Sequence, residues 1–365
     1  MARIALDARH IASTTGRYIE QLVNRLPALG QDNDYLLLLR PQDRERYLPK
    51  AANVSAIAAP QPLYGIGEQT GLLRLLHRLD ADLVHFCMPT QPILYRGLTV
   101  TTFHDLTQLT QPTDGPRARA KQTVARFVYL RAARGSELLI TPSETVREEL
   151  IEFAGLPAEL VRVTYEAAEP PTTAGEPVPG LGDARFLLYV GSHARHKNVR
   201  MLIQAHQELR AKHPELQLAL AGTLARDAPG TAAVTRAWTE AQRFDGIVYT
   251  GYVSDGQLAW LYGNALAFVF PSFSEGFGLP GLEAMAGGTP VLSSSATCLP
   301  EIYGDAALYF SPDDIPGLVD AIDRLLGAPE LRTEMIVRGR AQAANYSWER
   351  LARQTLAIYN EALRR

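Results

Sequence analysis

One stretch, Pro271 to Pro290 (PSFSEGFGLPGLEAMAGGTP), restricts the local topology more than any other part of this 365-residue chain. The apolar run Leu266 to Phe270 reads as a buried strand leading into it. Gly276, Gly278 and Pro280 then make a turn that opens a helix. Pro280 suits a first helical position, where an N–H would have no partner anyway. The amides of Phe277, Gly278 and Leu279 point past the strand end, and a helix terminus of that kind favours a diphosphate. Glu275 precedes the turn, and Glu283 lies inside the helix, ~5–8 Å further along its axis. A ligand with a sugar at one end of a diphosphate and a ribose at the other has that shape.

The same grammar, buried strand to glycine turn to helix, recurs along the chain. Arg3 to Ala8 is a strand, His10 to Thr15 a loop, and Tyr18, Ile19, Leu22, Val23 and Leu26 mark one face of a helix starting at Gly16. Further strands are expected at 35–39, 54–58, 83–86, 98–103, 137–141 and 161–165, with a helix over 68–79 and another capped by Ser143. Gln108 to Pro116 reads as a loop. Ala167 to Ala184 is rich in Pro and Gly and lacks periodicity, so it reads as a linker. The pattern then restarts with strands at 186–190, 216–221 (ending in Gly222-Thr223), 248–250 and 290–293, and closes with three helices at 315–326, 330–345 and 347–363. The fold class is therefore α/β, with two Rossmann-like doubly wound halves. The expected division is 1–168, a linker 169–184, a second domain 185–347, and a last helix 348–365.

Bulk numbers narrow the function. A chain of 365 residues exceeds one ordinary core. A net charge of −3 and pI of about 6.3 argue against a nucleic-acid binder. No run of eighteen apolar residues is present, and no signal-peptide core precedes the first strand, so a cytoplasmic protein is expected. Cys87 and Cys298 lie in opposite halves and read as free thiols. No zinc-ligand spacing occurs, and no metal site is expected. Asp80-Ala-Asp82 matches a D-x-D metal motif but lies at the amino end of its strand, whereas open α/β sheets bind ligands beyond the carboxyl ends. Pro116 to Gly135 is a helix with six basic residues and no acid. It reads either as a solvated face over a packed stripe of Val124, Phe127, Val128 and Leu130, or as a peripheral contact with anionic lipid head groups or a phosphate-bearing acceptor.

The segment Glu275-Gly-Phe-Gly-Leu-Pro-Gly-Leu-Glu283 resembles the E-x7-E donor signature of retaining GT-B glycosyltransferases, in particular glycosyltransferase family 4. Companion phrases run the length of the chain: Gly16-Arg-Tyr, TTFHDLT around His104, YVGSHARHKN around Lys197, Leu299-Pro-Glu301 and Ser347-Trp-Glu349. The resemblance implies two domains facing across a cleft, with the last helix crossing back onto the first. It implies that Lys197 and the amides of Phe277, Gly278 and Leu279 neutralise a diphosphate leaving group. Glu275 would bind donor-sugar hydroxyls and Glu283 the ribose. His104 would lie near the reacting sugar, oriented by Asp105, and Gly16 would let the backbone approach the substrates. Gly251, Tyr252 and Val253 would touch the base through backbone. The family's usual arginine before the lysine is His196 here, with Arg195 one place earlier. Either Arg195 takes the role from a shifted position or His196 contributes a hydrogen bond.

The reaction implied is metal-free, retaining transfer of a hexose from a nucleotide-diphosphate sugar to a glycan or lipid-linked saccharide. GDP-mannose is the first choice of donor and a dTDP- or UDP-sugar the second. Of the rivals, a sugar-nucleotide 2-epimerase has different motifs. A phosphorylase needs a pyridoxal lysine and a longer chain. A non-catalytic nucleotide-sugar sensor shares the binding residues and differs only in turnover.

Overall fold

Strands whose residues are apolar without alternation must be covered on both faces, which is the condition of a parallel sheet between helices. A computed structural model of the protein shows two such sheets and describes residues 1–13, 15–63, 65–110, 115–222 and 245–365. Thr223 and residues 111–114 of the expected loop at 108–116 lie outside the described residues. The chain divides into two compact units, Met1–Glu166 with Ser347–Arg365, and Ala167–Tyr346.

In the first unit, β1 (Arg3–Asp7), β2 (Asp34–Leu39), β3 (Val54–Ala58), β4 (Leu83–Phe86), β5 (Thr99–Thr102), β6 (Leu138–Thr141) and β7 (Val161–Val163) form one sheet. Its order is β3-β2-β1-β4-β5-β6-β7, and every pairing is parallel. Ile4, Ala5 and Leu6 of β1 are fully buried. The helix Gly16–Leu29 turns Tyr18, Ile19, Leu22, Val23 and Leu26 inward, the set that its spacing predicts. The helix Trp348–Ala362 belongs to this unit, although the second unit precedes it in sequence. Ser347 caps it by accepting from the Arg350 amide, and it packs on the helix Gly16–Leu29. Its Tyr359 hydroxyl lies 2.5 Å from His85 Nδ1, while His85 Nε2 is 2.8 Å from Thr102 Oγ1.

In the second unit, β8 (Phe186–Val190), β9 (Gln217–Ala221), β10 (Ile247–Gly251), β11 (Ala267–Phe270), β12 (Val291–Ser294) and β13 (Ala307–Phe310) pair in the order β10-β9-β8-β11-β12-β13, again all parallel. β13 has no counterpart among the expected strands. The stretch 169–184 forms no helix or strand but is packed: Val178 and Leu181 are buried, the Glu176 amide donates to the Gly256 carbonyl, and Ser254 donates to the Glu176 carboxylate.

Both sheets reverse direction of growth once, between β1 and β4 and between β8 and β11. Open α/β sheets bind ligands beyond the carboxyl ends of the strands at such points. The fold therefore singles out the loops after β1 and β4 in one unit, and those after β8 and β11 in the other.

Candidate functional site

The second unit places a lysine and a glutamate together at its reversal point. β8 runs into Gly191 and a tight turn, Arg195–Lys197, just before the helix Val199–Arg210. β11 runs into Pro271 and the loop that carries Glu275. Lys197 Nζ donates to both carboxylate oxygens of Glu275, at 2.8 and 2.7 Å. The side chains are 19% and 9% exposed, so the pair is sheltered yet reachable from solvent. Backbone contacts fix both loops. The Phe273 amide donates to the His196 carbonyl at 2.7 Å. Thr297 Oγ1 accepts from the Glu275 amide and donates to the Glu275 carbonyl, both at 3.0 Å, and Cys298 Sγ donates to that carbonyl at 3.2 Å. Arg195 is exposed at the start of the turn.

The helix beyond Glu275 spans Leu279–Gly287, so Pro280 occupies its second position, one later than its sequence suggests. Gly278 precedes it at φ 89°, and no side chain caps this terminus. The amides of Phe277, Gly278 and Leu279 make no hydrogen bond to the protein among the described residues. An added Cβ on Gly278 would lie 2.5 Å from the Tyr303 hydroxyl, and that hydroxyl donates to the Gly278 carbonyl. Glycine is thus required both by the left-handed turn and by this close approach. Glu283, on the same helix, accepts from the Tyr262 hydroxyl at 3.1 Å.

The adjoining strand ends are tied by glycines. The Gly191 amide donates to the Ala221 carbonyl at 2.9 Å, and the Gly222 amide to the Gly251 carbonyl at 2.8 Å. A Cβ on Gly222 would sit 2.1 Å from the Gly191 carbonyl oxygen. His193 is wedged between the rings of Tyr189 and Tyr249, with centroids at 5.8 and 5.5 Å, and burial lowers its pKa to about 4. It is therefore neutral near pH 7. Past Gly251, Tyr252 is 80% exposed and Val253 half-buried.

In the first unit, His104 follows β5 at its carboxyl end and is buried. Its Nδ1 lies 3.2 Å from Glu166 Oε1 and its Nε2 is 3.1 Å from the Cys87 carbonyl, while Tyr18 packs edge-on against the ring. The expected orienting partner, Asp105, instead accepts from the Thr107 amide at 2.8 Å. Glu166, 62 residues from His104 in sequence, holds that place from the segment after β7, two strands over from β5 in the sheet. Gly16 is buried, and the space over it is filled by its own loop: a Cβ there would be 2.0 Å from the Ile11 carbonyl oxygen.

Sequence reasoning also missed an ion cluster at the end of β1. Arg9 donates through Nε and Nη2 to Asp7 at 2.8 and 2.7 Å, and through Nη2 to Glu68 at 2.8 Å, all three residues being buried. The clue was a charged Asp-x-Arg directly after an apolar strand. Asp82 of the discounted D-x-D accepts from the Arg3 amide at 2.7 Å, and Asp80 closes a helix in the left-handed conformation.

Two parallel-sheet units with this topology and a lysine–glutamate pair at the reversal point define the GT-B class. The family profiles agree: "Glycosyltransferase Family 4" matches residues 15–169 and "Glycosyl transferases group 1" matches residues 177–342. The chain is 35% identical to O-antigen chain mannosyltransferase B of Escherichia coli, over 94% of this chain and 95% of that protein. Among solved structures it is similar to sucrose-phosphate synthase from Thermosynechococcus elongatus (TM-score 0.80, 20% identity, 99% of each chain). It is also similar to HepE of Anabaena in complex with UDP and glucose (TM-score 0.76, 17% identity, 99% of each chain). The chain belongs to the GT-B glycosyltransferases of family 4. It is a glycosyltransferase.

Proposed function

We propose that the protein transfers a mannosyl residue from GDP-mannose to a glycan or lipid-linked saccharide of a surface polysaccharide, with retention at the anomeric carbon and without a metal ion. The observation that carries the chemistry is the Lys197–Glu275 pair at the β8/β11 reversal, beside a helix terminus with unused amides. The choice of mannose rests on the 35% identity to the O-antigen mannosyltransferase.

Each residue has a part in this reaction. The donor diphosphate displaces Glu275 from Lys197, and the ammonium with the amides of Phe277, Gly278 and Leu279 takes up charge as the leaving group departs. Glu275, released, accepts hydrogen bonds from donor-sugar hydroxyls. Glu283 accepts from the ribose, exchanging Tyr262 for it. Gly251, Tyr252 and Val253 border the base. His104, oriented by Glu166, acts near the reacting hydroxyl, and Gly16 and Arg195 serve the same substrates. Retention results from front-face attack, with the departing phosphate accepting the proton of the incoming hydroxyl.

A second reading keeps this chemistry with a UDP-sugar donor, and the UDP-bound HepE fold supports it. The basic helix Pro116–Gly135 exposes Val124 and Phe127 (62% and 53%) beside Arg119, Lys121 and Arg126, which supports peripheral contact with anionic lipid. The test of the main reading is transfer from GDP-mannose and UDP-glucose, in EDTA, to a lipid-linked saccharide acceptor, with the product's anomeric configuration read by NMR. An α-mannoside formed only from GDP-mannose is expected. Transfer from UDP-glucose alone selects the second reading, and an inverted product refutes retention.

A further inference from the structure

The first unit holds a cavity that the donor and acceptor chemistry leaves unused. It has a volume of about 340 Å³ and is lined by Gln91, Tyr95, Arg96, Thr99, Arg131 and Arg134, among others. That volume is at the small end of small-molecule pockets. Thr99 opens β5, and Gly135, which also lines the cavity, precedes β6, so the cavity lies at the amino edge of the sheet. His104 lies beyond the carboxyl end of the same strand, five residues or about 16 Å away at strand rise. The cavity is therefore separate from the site described above.

Its charge is one-sided. Among the described residues, three guanidinium groups line it and no carboxylate does. Among the described residues none of the three forms an ion pair. Their acceptors are neutral carbonyls: Arg96 donates to Ile93 and Tyr95, Arg131 to Ile93, and Arg134 to Ala154. Each guanidinium carries five N–H groups, so most are left over. The nearby Glu137 is engaged with Arg365 instead. An arginine in the last turn of a helix commonly offsets its dipole, which accounts for Arg134. It does not account for Arg131, one turn further back, or for Arg96, which reaches the same cavity from the loop before β5. Buried Gln91 and Thr99 provide a polar floor. Convergent arginines around a small polar-floored cavity are the recognition chemistry of phosphate oxygens.

We propose that this pocket is a second anion site, which binds a phosphate monoester or diphosphate group through Arg96, Arg131 and Arg134. The group belongs either to a soluble phosphate ester or to a phospholipid head group.

The test uses the full chain carrying Lys197→Ala, which weakens the donor site for the probe at least tenfold. Inorganic diphosphate is titrated calorimetrically at fixed ionic strength into this protein and into the same protein with Arg131→Gln and Arg134→Gln. The first should bind one equivalent, and the second should bind at least tenfold more weakly. An Arg96→Gln variant, on the loop, should show the same loss without a change in melting temperature. Sedimentation with phosphatidic acid vesicles, against phosphatidylcholine vesicles, separates the sources. Arginine-dependent sedimentation that diphosphate abolishes identifies a lipid head group. Diphosphate binding without sedimentation identifies a soluble ester. Absence of diphosphate binding, or equal binding by all variants, overturns the proposal.

Discussion

Replacing Lys197 by alanine removes the cation from a carboxylate that the fold continues to hold in place. The backbone of Glu275 stays anchored, its amide and carbonyl being tied by Thr297 and Cys298, so its carboxylate is left at the site without its cation. Breaking a fully buried ion pair costs about 3–5 kcal/mol, chiefly for the charge left behind. Here the side chains are 19% and 9% exposed, so water partly solvates the orphaned carboxylate and the cost falls to about 1–3 kcal/mol. The second unit spans Ala167–Tyr346. In a body of that size, about 2 kcal/mol corresponds to roughly 4–8 °C in melting temperature. The assay is calorimetry of the ligand-free wild type, Lys197→Ala, Glu275→Gln and the double variant. Lys197→Ala should melt lowest, and the double variant should recover part of the loss because the unpaired charge is gone. Strict additivity of the two single changes would refute the pairing. In turnover, losing the ammonium where leaving-group charge develops should cost about 10²–10³ in kcat.

The same geometry predicts other outcomes. Glu275→Gln frees Lys197 for phosphate, so it should bind a nucleoside diphosphate at least as tightly as wild type in calorimetry while losing transfer activity. Burial lowers the pKa of His10, His193 and His206 to about 4 and that of His85 to about 3. Their unfolded forms take up protons first as pH falls below about 6.5, so stability in urea is full above that pH and drops towards pH 4. A single such histidine accounts for on the order of 3 kcal/mol. His193→Asn should flatten that slope. Gly222→Ala sets a Cβ against the Gly191 carbonyl at φ 128° and should destabilise by about 1–3 kcal/mol or more in denaturant titration. Ending the chain at Tyr346 removes buried Leu351 and Tyr359 from the first unit, and amide exchange should show that unit unprotected.

Features set by local chemistry were legible in the sequence. The turn at Gly278, the lysine before the helix Val199–Arg210, and the inward face of the helix Gly16–Leu29 all depend on residues within one turn of each other. Features set by distant contacts were not. Glu166 meets His104 across 62 positions, and Glu68 meets Arg9 across 59, so neither partner is visible from spacing. β13 is four residues long, too short for any period to show, and it exists because β12 offers an open edge. The stretch 169–184 looked like a linker because it lacks periodicity. Packing through Val178 and Leu181 requires none. In the helix Pro116–Gly135 the expected apolar stripe is divided: Tyr129, Ala132 and Ala133 are buried, whereas Val124 and Phe127 face solvent. The alternative of a fully packed stripe is excluded for those two residues.

The central claim is a donor-diphosphate site in the second unit, built on Lys197 and working without metal. Its most direct measurement is calorimetric titration of GDP, UDP and dTDP in EDTA into wild type and Lys197→Ala. The account predicts that one of them, GDP, binds wild type in EDTA and binds the variant at least about tenfold more weakly, a difference of about 1.4 kcal/mol or more. Equal affinity for both proteins, or binding that appears only when Mg²⁺ is restored, would contradict it.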